Sequence, residues 1–147
     1  LYMLLIIRNE RMLLEMIKDT DKAFPEHLAF FMLHHLHHPD QIVMFHQIEE
    51  RLSTTAQGLH DLFYQLYQIR KQRLRIIIRM TEQYLASVNS DMSVRDYLAA
   101  IWSITHGGAA ILNSSFYQRY LGSRDTLRVA YIEQALAMPK QLEHALT

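Results

Sequence analysis

The densest chemistry in this chain is the run His34-His35-Leu36-His37-His38, which holds four of its nine histidines. His34 and His38 stand four residues apart, so on a helix they share a face. Two imidazoles at that spacing can chelate zinc, nickel or copper, but one helix cannot close a tetrahedral shell. His27, His46, Glu49 or Glu50 would have to complete the set. The plainer alternative is a polar helix end, where histidine complements the negative end of the dipole. No His-Glu-x-x-His pattern is present, so a metalloprotease is not indicated. Nine imidazoles also predict sensitivity to mild acid.

A second charged group is Arg70, Lys71, Arg73, Arg75 and Arg79, a basic run with no acid inside it. Lys71, Arg75 and Arg79 line one helix stripe. A solvated face is the ordinary explanation; an anionic effector or a phosphate contact is the alternative. Without aromatic interleaving the run does not read as a nucleic-acid surface. Catalysis finds little support, because no Gly-rich phosphate loop or nucleophile elbow occurs. Glu49 and Glu50 are adjacent, and neighbours on a helix point in different directions. We therefore expect neither an enzyme nor a cofactor.

Aromatic and methionine side chains gather between Phe30 and Trp102, among them Phe31, Met32, Met44 and Phe45. Most of these suit an ordinary core. The functional alternative is a pocket between helices, mainly apolar with a few placed polar groups. Methionine adapts to irregular ligands, and tyrosine or tryptophan adds a polar handle. The residues expected to line such a pocket are His34, Phe45, Phe63, Tyr64, Tyr67, Trp102 and His106, with a small apolar or aromatic molecule as occupant.

The elements that must position these groups are helical. Only four Gly and three Pro punctuate 147 residues, half of them hydrophobic, and no stretch alternates like a strand. The length suits a single domain, residues 1–147. The expectation is an all-α bundle of about six helices. They run near Leu1–Lys22, Pro25–His37, Pro39–Leu52, from caps at Ser53, Thr54 or Thr55 to Ala86, from Ser93 to Asn113 or beyond, and Arg124–Leu146. Pro25 suits a first turn, and Pro139 should end or kink the last helix. The formal charge is zero and there is no cysteine. This argues against a polyanion partner for the whole surface and removes any disulfide framework. No apolar run nears the roughly 20 residues of a membrane span, and Leu1–Ile7 lacks the flanks of a signal peptide. A cytoplasmic protein without membrane contact fits. The apolar start without an initiator Met leads us to expect a preceding segment.

One stretch breaks a rule. Met92–Tyr120 reads as one helix, yet Gly107 and Gly108 lie inside it. Each costs roughly 1 kcal/mol relative to alanine, which calls for a compensating close approach by another backbone. Tyr97, Ile101, Ile104, Gly108 and Ile111 share one face, and Leu98, Trp102, Thr105, Ala109 and Leu112 share the other. A helix apolar on both sides is buried on both. Either both faces belong to the chain's own core, or one meets a second copy.

Placed in order, these segments resemble the C-terminal domain of the TetR family of bacterial transcriptional regulators. His38-Pro39-Asp40 resembles that domain's short break between two early helices. Asp96–Ala110, DYLAAIWSITHGGAA, resembles its dimerisation helix, and Asp125–Met138, DTLRVAYIEQALAM, its last helix. The resemblance implies a homodimer through Tyr97, Ile101, Ile104, Gly108, Ile111, Leu127 and Tyr131, in a four-helix contact about a two-fold axis. It implies an effector pocket among the same helices. It also implies operator DNA bound only through a helix-turn-helix head, which residues 1–22 would connect to this domain. The rival expectation is a metal-binding bundle or metal sensor built on His34 and His38.

Overall fold

The structure, a computed structural model, describes residues 1–19, 21–55 and 58–146, with 141–146 as backbone only. It is all-α, with no strand among the described residues. The helices are α1 Tyr2–Ile17, α2 Phe24–His37, α3 Pro39–Thr55, α4 His60–Ser87, α5 Val94–Leu112, the single turn α6 Ser115–Gln118, and α7 Arg124–Leu146. No helix among the described residues is long and apolar enough to cross a membrane.

Local chemistry sets the boundaries. The first helix stops at Ile17, short of the expected Lys22. There Asp19 accepts from the Asp21 amide (3.0 Å) and its carbonyl accepts from His27 Nε2 (2.8 Å), fixing the turn into α2. Position 20 of the expected helix lies outside the described residues. Pro25 sits in the first turn of α2. His38 precedes Pro39 and cannot stay helical; it leaves the helix at φ −127°, and α3 starts at once. Ser53, Thr54 and Thr55 do not cap α4. Their hydroxyls donate back to the carbonyls of Glu50 and Arg51, the habit of such residues inside a helix. The third helix therefore runs on to Thr55 and α4 begins at His60; positions 56 and 57 of the expected fourth helix are outside the described residues. Ser93 caps α5, accepting from the Asp96 amide (3.1 Å). The stretch Met92–Tyr120 is not one helix: α5 ends at Leu112, and Ser114 caps α6 separately.

Two apolar clusters hold the helices together. Met3, Ile6 and Ile7 of α1 close on Leu66 of α4, with Phe45, Leu62 and Phe63 packed around them. The larger core joins α2, α5 and α7 through Leu28, Met32, Leu36, Tyr97, Ile101, Ala109, Leu112 and Ala135. Pro139 lies inside α7 without ending it. Having no N–H, it leaves the carbonyl four residues earlier without its helical donor. That carbonyl belongs to Ala135, and the Tyr97 hydroxyl donates to it at 2.7 Å in the fully buried core.

The glycine pair does something other than expected. A Cβ on Gly108 would lie 2.9 Å from Cδ2 and Cε2 of Tyr131 and 3.3 Å from Leu36 Cδ2. The close approach is therefore a tyrosine ring of the same chain, not the backbone of a second one. Tyr97, Ile101 and Gly108 of the expected interface are buried inside the subunit. Ile104, Leu127 and Tyr131 pack half-buried against its own core, and Ile111 is half-buried. The arc that α5 leaves exposed is the opposite one: Ala99, Ser103, Gly107 and Ala110, with no atom within 4 Å of a Cβ on Gly107.

Candidate functional site

Helices α1 to α5 surround a cavity of about 440 Å³. Its floor is half-buried or buried: Ile6, Asn9 and Glu10 of α1; Phe31, His34 and His35 of α2; Ile42, Phe45 and Glu49 of α3; Arg70, Arg73, Leu74 and Ile77 of α4. Its rim is exposed: His38, Gln41, His46, Glu50, Trp102 and His106. A smaller apolar cavity of about 70 Å³ adjoins it, sharing Phe31, Arg73, Ile77 and Trp102 and continuing between Leu13, Met16, Leu28, Met80 and Leu98.

Helical spacing explains who faces inward. On α4, Arg70, Arg73, Leu74 and Ile77 fall at i, i+3, i+4 and i+7, one face of the helix. On α1, Met3, Ile6, Ile7, Glu10, Leu13 and Leu14 form the buried stripe, so Glu10 is carried into the interior with its apolar neighbours. There it is 6 % exposed and meets two guanidiniums. Arg70 Nε donates to Glu10 Oε1 at 3.2 Å, and Arg73 Nε to Oε2 at 3.1 Å. Arg70 also grips Glu49 with both terminal nitrogens, one at 2.8 Å. Burial works against the charge of Arg70, but the bonds to Glu49 and the charge of Glu10 outweigh it and hold the group above its ordinary range. The basic run thus divides: Lys71, Arg75 and Arg79 are exposed, while Arg70 and Arg73 turn in and pair with α1 and α3.

Imidazoles make up the rest of the polar wall. His34 Nε2 donates to Asn9 Oδ1 (3.1 Å). The rings of His46 and His106 meet edge to face at 5.6 Å, and those of His34 and His38 at 6.1 Å. Burial lowers the pKa of His34, with the His38 charge adding to it, and that of His106, with His46 adding. Burial pushes His35 furthest, down to about 3, helped by the charges of His34, Arg73 and His106. Burial thus disfavours the charged form of His34, His35 and His106.

Of the expected lining residues, His34, Phe45, Trp102 and His106 come together in the cavity. Phe63, Tyr64 and Tyr67 do not line it. Phe63 belongs to the α1–α4 cluster, while Tyr64 and Tyr67 are exposed. The N-terminal half of α1 covers that end of α4, so the cavity begins a turn later, at Arg70. The cavity is also more polar than expected. Asn9, Glu10 and Gln41 were absent from the expectation, Arg70 and Arg73 stood in it only as part of a basic run that could meet an anionic effector, and the legible signal was a lone glutamate on an apolar helical stripe. For metal, no group of three or more His, Asp or Glu that could hold an ion occurs among the described residues. His27, a candidate ligand, is committed to the Asp19 carbonyl. No protein-family model matches the chain, and no curated protein matches it.

Proposed function

We propose that this chain is the effector-binding and dimerisation domain of a TetR-like transcriptional regulator, a repressor released by a small organic molecule. The observation that carries the reading is the cavity between α1 and α5, of a size and lining suited to a small ligand. Its wall includes α1, the helix that would connect to a DNA-binding head.

The physics of release is a difference in affinity. A ligand moves an equilibrium only as far as it binds one state better than the other. Two helix-turn-helix heads read a palindrome when they sit about one helical turn apart, roughly 34–36 Å. A molecule contacting Ile6, Asn9 and Glu10 of α1 together with α2 to α5 favours one placement of α1, and through it one spacing of the heads. The second copy would meet α5 on its exposed arc, Ala99, Ser103, Gly107 and Ala110, where small side chains permit a short interhelical distance. On this reading Ser103→Arg converts a dimer to a monomer in sedimentation velocity, and an unchanged dimer removes that face.

The test of function uses the intact polypeptide. Selection from random duplexes should recover a palindromic site, and compounds that raise the melting temperature of this domain should release it. Failure to enrich any sequence, with the fold intact, rejects the regulator reading.

A further inference from the structure

We propose that the cavity takes an amphipathic organic monoanion, with its carboxylate among the imidazoles of His35, His46 and His106 and its apolar body against Phe31, Phe45 and Trp102. The proposal rests on the reading of this cavity as an effector site and names the chemistry of the effector.

The way the wall's charges are paired leaves its imidazole end open to an anion. Glu10 from α1 and Glu49 from α3 are both turned to the guanidiniums of α4, Arg70 and Arg73. The remaining acid, Glu50 of α3, stands exposed at the rim. The charged neighbours that bear on His34, His35 and His106 are therefore Arg73 and other imidazoles, His38 and His46 among them, with no carboxylate. An anion placed there meets ring N–H donors and no carboxylate beside His35 and His106. The rings are also free to bind. Among the described residues His35, His46 and His106 have no hydrogen-bond partner; the half-buried His35 has no enclosed, unpaired ring nitrogen, so it opens on the cavity, and His46 and His106 stand exposed at its rim.

The same wall limits the charge and shape of the ligand. An imidazole beside a bound carboxylate gains a proton, and the resulting pair is neutral. A dianionic phosphate would leave a second charge buried without a partner, at a cost of several kcal/mol. A smaller apolar cavity lies next to the chamber, sharing Phe31 and Trp102 and lined further by Leu13, Met16 and Leu98, so the apolar end of the ligand belongs on that side. Binding should therefore draw a proton from solution.

Calorimetric titration with decanoate, decanol and decylamine tests this, run in two buffers of different ionisation heat between about pH 7.5 and pH 6. The expected result is one decanoate per chain, uptake of up to one proton, and affinity rising by as much as about tenfold for each pH unit lowered. His35→Gln and His106→Gln keep a hydrogen-bonding side chain and lose the titration. Each should flatten the pH slope with the circular dichroism spectrum unchanged, and two variants guard against one that fails to fold. Decanoate binding with no proton uptake overturns the proposal. Decanol or decylamine binding as well as decanoate also overturns it, while leaving the cavity as an effector site. Silence from all three, with the chain folded, rejects both.

Discussion

Replacing Tyr97 by phenylalanine isolates one atom of the core. The Tyr97 ring lies edge-on to Phe24 at 6.1 Å and to Tyr84 at 6.5 Å, and phenylalanine keeps both contacts. What disappears is the hydroxyl that donates 2.7 Å to the Ala135 carbonyl. Ala135 is fully buried, and Pro139 supplies no N–H in its place. A buried acceptor left unpaired costs about 1–3 kcal/mol. For a domain of this length each kcal/mol moves the melting temperature by about 2–4 °C, so Tyr97→Phe should melt roughly 2–12 °C lower. The cause is tested by a double-mutant cycle. Pro139→Ala restores an N–H within reach of the Ala135 carbonyl, so Tyr97→Phe in that background should lose less, with a coupling of about 1 kcal/mol or more. Urea titration followed by circular dichroism measures all four corners. A neutral Tyr97→Phe, or an equal loss in both backgrounds, refutes the account of how α5 and α7 are joined.

Glu10→Ala leaves Arg73, whose side chain is 13 % exposed, without its carboxylate. Breaking a buried pair from one side costs about 3–5 kcal/mol in urea titrations, and a loss below about 1 kcal/mol would mean that water already serves the site. Gly108→Leu should lower stability by about 1–3 kcal/mol or more through collision with the Tyr131 ring and leave the association state of the folded chain unchanged; a stable monomer formed from a dimer would reverse that assignment. Stability should also fall with acid. His35 titrates lower in the fold than its ordinary 6.5, so below 6.5 the unfolded chain binds the extra proton. The contribution is complete above that pH and is lost as pH falls toward 3. Between pH 7 and 5 this one group removes about 2 kcal/mol, and His35→Gln should flatten the decline. Denaturation midpoints across that range decide it.

Much of the fold was readable because its signals are local. Pro39 after His38 forces a break wherever it occurs, Ser93 presents an oxygen to the amide three residues on, and apolar spacing of three and four residues marks α2 and α5. The errors also have local causes. Ser53, Thr54 and Thr55 look like caps, but their hydroxyls bond backward as readily as forward. What stayed hidden depends on partners distant in sequence. Glu10 meets Arg70 and Arg73 across 60 and 63 residues, and the ring that explains Gly108 sits on α7. A glycine announces a close approach without naming what approaches. Likewise the aromatic content of α4 pointed to Phe63, Tyr64 and Tyr67, yet which turn faces a cavity depends on how far α1 reaches along it. His34, Phe45, Trp102 and His106 were legible as aromatic and polar side chains on helices that meet around one space, His34 and Phe45 on its half-buried wall and Trp102 and His106 at its exposed rim.

The central claim, that the chamber between α1 and α5 holds a small molecule, is tested most directly by the emission of Trp102. It is the only tryptophan in the chain and stands on the wall of both cavities. Titration with a collection of amphipathic and hydrophobic compounds should give a saturable change with at least one of them, one equivalent per chain, accompanied by a higher melting temperature and abolished by an arginine at Ile42. Emission that no compound alters in the folded chain, or a change that survives Ile42→Arg, contradicts it.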